Sequence, residues 1–162
     1  MKQSINLQLK MSEIIYDIQN KTYLTGRSLS NGNVTSHIAN MQANDDDENA
    51  AQILRSVTMA VSVLRNRLGE YLSSSETLSN NEILSESDDI SFALYMPSNF
   101  NGNVTKTIGE VAHQFIVATA IADWFSITAK GETSDYSAIA EASLKVLEET
   151  LCKRSRPTRP EA

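Results

Sequence analysis

His37, His113 and Cys152 are the side chains best suited to acid–base, nucleophilic or metal chemistry in this sequence, and they lie far apart along it. Two histidines and one cysteine cannot by themselves close a tetrahedral zinc site. His113 stands beside Ala112 and two places before Phe115 in an apolar stretch. There it reads as a core or interface histidine held by a hydrogen bond, not as a general base. Cys152 precedes Lys153 and Arg154, neighbours that favour a reactive thiol. A small residue closing a helix is the simpler reading. The acidic run "NDDDEN" has contiguous acids and no glycine, whereas a calcium loop needs spaced acids, a central glycine and a distal glutamate. The run therefore reads as a helix N-terminus or a solvated loop. Glycine-rich phosphate loops, a zinc-protease His pair and a serine nucleophile elbow are all missing from the sequence. No catalytic residue, metal or cofactor is expected, and the weight moves to an interaction or structural role.

The elements that would position such a surface are mostly helical. Ile5, Leu7, Leu9 and Met11 alternate with polar residues, which predicts a strand over residues 4–11. Ser12 is placed to cap a first helix carrying Ile14, Ile15, Ile18 and Tyr23, which should end in the turn residues Gly26, Asn31, Gly32 and Asn33. Ala50, Ile53, Leu54, Val57, Val61, Leu64, Leu68 and Tyr71 recur at three- and four-residue steps and predict an amphipathic helix. Asp45, Asp46, Asp47 and Glu48 lie at its positive end, and Arg65 and Arg67 toward its negative end. A Ser- and Asn-rich polar loop over 73–89 follows. Ile90, Phe92, Leu94 and Met96 then alternate in a second strand, which Pro97 ends. A helix over about Thr105 to Ala129 is apolar nearly all round, Trp124 and Ile127 included, so several neighbours should bury it. Gly131 is placed to end it. The last helix, about Ser134 to Lys153, offers Tyr136, Ile139, Ala140, Leu144, Leu147 and Leu151 to the core, while Glu141, Glu148 and Glu149 should face solvent.

The 162 residues suit one domain, mainly α: a bundle of about four helices with two short strands and extended termini. The expected limits are 1–152 for the bundle and 153–162 for a C-terminal arm. A single cysteine excludes an internal disulfide, and the opening "MKQSINLQLKMSE" lacks the apolar run of a signal peptide. On that reading the triplets "NKT" and "NVT" are chance matches to a glycosylation sequon. No membrane span is expected. A formal charge of −6 argues against broad nucleic-acid binding. Against it, Lys153, Arg154, Arg156 and Arg159 gather in the last residues, spaced by Pro157 and Pro160. Dipole capping accounts for Lys153 and Arg154 at a helix end. It leaves Arg156, Pro157, Arg159 and Pro160 unexplained.

The order of motifs carries a resemblance. An alternating strand leads into "TYLTGRSL". "ISFALYMPSNF" follows the acid-led helix, an apolar helix holds "ADWFSITAKGETSDY", and the chain finishes in "KRSRPTRP". Ile5 to Leu9, Tyr23 to Gly26, Leu94 to Asn99, Trp124 to Tyr136 and Lys153 to Pro160 carry it. This resembles small neck or head–tail connector-like structural proteins of Bacteroides-type phages and prophages. The Ser-rich stretch from Ser73 to Asp89 has no counterpart in that pattern. The resemblance implies a virion protein that forms a homo-oligomeric ring against portal or adjacent neck and tail proteins. No specific nucleic acid is expected as a partner, although a ring lumen leaves room for passing DNA, and the location would be the virion, with host cytoplasm during assembly. Lys153, Arg154, Arg156, Pro157, Arg159 and Pro160 would then form a partner-binding arm, since proline spacing lowers the entropy lost on docking and arginine suits carboxylates. From the residues alone, a soluble helical adaptor or regulatory protein for a cellular partner is the alternative.

Overall fold

The computed structural model describes residues 1–29, 39–73 and 79–160. Their order is β1 (Gln3–Leu9), α1 (Met11–Leu29), α2 (Asp47–Arg67), β2 (Ile90–Met96), α3 (Thr105–Thr128) and α4 (Thr133–Leu151). Among the described residues, these four helices and the two-stranded antiparallel sheet make the mainly helical fold that the periodicities predict.

The two strands pair within one chain, Gln3 opposite Met96 through Leu9 opposite Ile90. Along β2 burial alternates strictly, with Ile90, Phe92, Leu94 and Met96 inward and Ser91, Ala93 and Tyr95 outward. That is the pattern of a sheet with one wet face. The strand expected over 4–11 stops at Leu9, because Met11 is the first residue of α1 and has no exposed surface. A side chain buried at the first turn of a helix continues the alternation by coincidence. Ser12 accordingly lies inside the helix instead of capping it. The Met11 amide donates to Asp89 Oδ1 at 3.3 Å, so a carboxylate from just before β2 satisfies one orphan donor of α1.

Gly26 is also a helix residue and buried, and the rest of the turn expected after it, together with His37, lies outside the described residues. Tyr23 points outward, and Thr22 takes the buried place instead. Its Oγ1 donates to the Ile18 carbonyl at 2.9 Å and accepts from the Ala43 amide at 3.1 Å.

α3 is the central element. It packs on α1, α2, α4 and β1, and its buried side chains run from Ile108 to Phe125. Each large aliphatic or aromatic side chain so buried contributes about 1.5–3 kcal/mol. β1 approaches α3 closely at Gly109, where a Cβ would stand 3.1 Å from Leu7 Cδ1. Ile127 departs from the expected all-round burial at 64% exposed, and Ile139 on α4 from the expected core at 39%. Both side chains are left open to solvent on their helices. α3 ends at Thr128, three residues before Gly131, which sits in a short 3₁₀ turn, Lys130–Glu132. α4 ends at Leu151 instead of reaching Lys153.

The described part of the polar loop is tied to the body. Ile83 and Leu84 pack on the core, the Leu84 amide donates to Thr58 Oγ1 at 3.0 Å, and Arg55 Nη1 donates to the Asn81 carbonyl at 3.1 Å. The Ser85 amide and hydroxyl hold the Asp88 carboxyl below its ordinary range.

Candidate interaction surfaces

The basic tail divides in two. Its root belongs to the fold: the Asn101 amide donates to the Lys153 carbonyl at 3.2 Å, and the Ser155 amide donates to the Asn99 carbonyl at 2.8 Å. Between these bonds Phe100 and Arg154 form an antiparallel bridge. Arg154 Nη1 donates to the Leu151 carbonyl at 2.9 Å and so caps the last turn of α4, as a cation at a helix C-terminus should. The outer half differs. Arg156, Pro157, Thr158, Arg159 and Pro160 are exposed, and none makes a hydrogen bond or ion pair among the described residues. Of the six arm residues expected from the sequence, Lys153 and Arg154 are held at the root. Arg156, Pro157, Arg159 and Pro160 project beyond it.

A second surface escapes sequence reasoning. β2 has a partner on each side. Beyond β1, the Ser73 amide donates to the Ala93 carbonyl at 2.9 Å and the Tyr95 amide donates to the Tyr71 carbonyl at 2.7 Å. Ala93 and Tyr95 therefore turn their backbone groups away from β1. In an antiparallel pair, residues opposite each other either exchange both bonds or point both sets outward. Asn6 and Ser4, which face Ala93 and Tyr95, must point their N–H and C=O groups to the outer edge of β1, and Gln8 opposite Ser91 does the same. No described residue pairs with that edge.

The edge opens onto a groove of about 660 Å³ between β1 and the first half of α3. Leu7, Leu9 and Gly109 lie in its lining, with Lys10, Glu13, Lys106 and Glu110 among them. Lys106 Nζ is 3.6 Å from Glu110 Oε1. His113 also lines the groove, with its Nε2 2.6 Å from Asp17 Oδ2. It is the partnered interface histidine that the sequence suggests, tying α1 to α3. The one hydroxyl in the lining, Thr105 Oγ1, donates to the Gly102 carbonyl at 2.8 Å. A groove of unpaired strand edge and mixed charge suits docking more than nucleophilic chemistry.

Elsewhere the charges serve the body. Arg67 meets Glu148 of α4 at 2.8 Å, so a glutamate that faces solvent as expected also links two helices. The Arg65 guanidinium lies 5.0 Å from the centre of the Phe92 ring. Asp47 and Glu48 occupy the first turn of α2, where the sequence places the acidic run. On α3, burial pushes the Asp123 carboxyl above its ordinary range, and a hydrogen bond from Ser56 opposes part of that shift. Trp124 is buried, and its indole N–H donates to the Met41 carbonyl at 2.8 Å. No helix among the described residues is long and apolar enough to cross a membrane. No protein-family model, curated protein or solved structure matches the chain.

Proposed function

We propose that this protein is a structural component of a phage virion, a non-enzymatic subunit of an oligomeric neck ring that joins the portal or capsid to the tail. It would reside in the virion, and in the host cytoplasm during assembly. The reading rests on the resemblance in motif order, and one structural observation supports it most. The tail is anchored as far as Ser155 and then leaves the body carrying Arg156 and Arg159 with no intrachain partner among the described residues. Proline spacing keeps such a segment extended and lowers the entropy lost when it docks. Arginine pairs well with carboxylates, so a basic arm suits docking on the surface of a chain whose formal charge is −6.

The test is truncation after Ser155 in the phage or prophage background. The truncated protein should fold with unchanged helicity, yet particles should stall before the head and tail are joined. Arg156→Glu with Arg159→Glu should stall them too, more severely at low salt, where like charges are least screened. Complete particles at normal yield from both variants would overturn the arm's role. A chain that never associates with particles or capsid components would overturn the virion reading in favour of a soluble adaptor.

A further inference from the structure

We infer that the outer edge of β1 is a self-pairing surface, on which two copies of this chain join their sheets into one four-stranded antiparallel sheet. An open strand edge is a template for another strand, and proteins that must stay apart blunt it with proline, a bulge or an inward charge. β1 has none of these along Gln3–Leu9, and its three outward residues, Ser4, Asn6 and Gln8, are uncharged. Each leaves a donor and an acceptor free, so the edge offers a second copy what it asks for itself.

The flanking charges and the burial of the inward residues together select the register. Lys2 and Lys10 bracket the strand. A twofold axis through Asn6 would set Lys2 of one copy opposite Lys10 of the other. An axis through Ile5 sets Lys2 opposite Gln8 and Ser4 opposite Asn6, and brings the two Ile5 side chains together at the closer-spaced, non-hydrogen-bonded position. Ile5 is the apolar inward residue of the strand that stays half-buried, while Leu7 and Leu9 are 7% and 6% exposed. The joint would cover it. The groove beside the edge carries Lys10 and Lys106 against Glu13 and Glu110, so a second copy meets both signs there.

A neighbour's basic arm fits this edge less well. Pro157 and Pro160 have opposite parity in an extended segment, so either orientation turns a residue without an N–H toward the ladder. A groove with equal numbers of lysines and glutamates also gives a cationic arm no net attraction. The self-paired joint is isologous and closes at two copies. It does not depend on the ring reading, which needs other contacts.

Light scattering of the full chain over a concentration series, with hydrogen exchange on the same samples, tests the inference. The expected result is a dimer whose Ser4, Asn6 and Gln8 amides gain protection as it forms, while the Ile5, Leu7 and Leu9 amides are protected in monomer and dimer alike. Asn6→Pro removes an outward N–H that bonds nothing within the chain, so the monomer should keep its melting temperature and lose at least tenfold in dimer affinity. Ser4→Lys with Gln8→Lys should act likewise and guards against a folding defect in the proline variant. Salt should strengthen the dimer by screening two acidic bodies, and truncation after Ser155 should leave it intact. A chain that stays monomeric, or a dimer unaffected by either edge variant, overturns the inference. A dimer lost on truncation and weakened by salt overturns it too, and assigns the edge to the arm.

Discussion

Phe100 and Arg154 face each other across an antiparallel backbone bridge, with the Asn101–Lys153 and Ser155–Asn99 hydrogen bonds on either side. The Phe100 side chain is 1% exposed, and its carbonyl also accepts from Gln3 Nε2 at 3.2 Å and Ser155 Oγ at 3.4 Å. The start of β1, the segment after β2 and the root of the tail thus meet at one residue. Where the chain is cut should decide what is lost. Removing everything after Ser155 should change unfolding free energy by no more than about 0.5 kcal/mol, as for exposed substitutions. Removing everything after Cys152 should cost about 1–3 kcal/mol, because two backbone bonds and the Arg154 cap go together. Urea titrations of the two truncated chains check this, and equal midpoints would mean that the bridge contributes nothing.

The sheet should be intolerant on one face only. Phe92 carries the Arg65 guanidinium and is 2% exposed, and Leu94 has no exposed surface. Phe92→Ala should cost about 3–5 kcal/mol and Leu94→Ala about 2–5 kcal/mol through the cavities left behind. Ser91 points to solvent, and Ser91→Ala should be neutral within about 0.5 kcal/mol. Similar losses at all three positions, read by chemical denaturation, would contradict the one-sided burial.

What the sequence reveals and what it hides follow from range. Ile90–Met96 and the limits of α3 are legible because burial of one face, or of all faces, imposes a local period on neighbouring residues. Met11 misleads by the same logic, since helix and strand patterns share a residue where one element runs into the next. Asp89 capping α1 lies 78 residues from Met11, and no local signal marks it. Ile127 and Ile139 look like core because periodicity reports a helix face without saying whether a neighbour covers it. The tail's charge and prolines are plain in composition. Its division at Ser155 depends on pairing with Asn99 and Asn101, and the open edge of β1 depends on which side of β2 Tyr71 and Ser73 take. Both are decided by distant contacts.

Trp124 should report on the packing of α3. It is 5% exposed and holds the Met41 carbonyl through its indole N–H. Its fluorescence should be blue-shifted and poorly quenched by acrylamide in the folded monomer. Trp124→Phe removes the donor and leaves a buried carbonyl unpaired, a loss of about 1–3 kcal/mol. Free acrylamide access in a sample with full helicity would place the indole elsewhere.

Asp123 should make the fold less stable as pH rises. Burial raises its carboxyl above the ordinary range, with Ser56 opposing the shift. A carboxyl with a raised folded value binds protons more readily in the folded state, so stability falls with pH across the interval between the unfolded and folded values. Below the ordinary aspartate value the group is neutral in both states and imposes no penalty. Above the folded value the penalty is complete. Asp123→Asn keeps an oxygen for the Ser56 hydroxyl and carries no charge, so it should unfold at higher denaturant concentration than the parent at neutral pH. The difference should shrink as pH drops through the interval and vanish at its lower end. Because the side chain is more than a third exposed, the effect should be small. Paired urea titrations at a series of pH values read the difference directly. A variant less stable than the parent at neutral pH, or a gap that widens toward acid, would mean that the carboxylate is held by favourable contacts and that burial does not govern it.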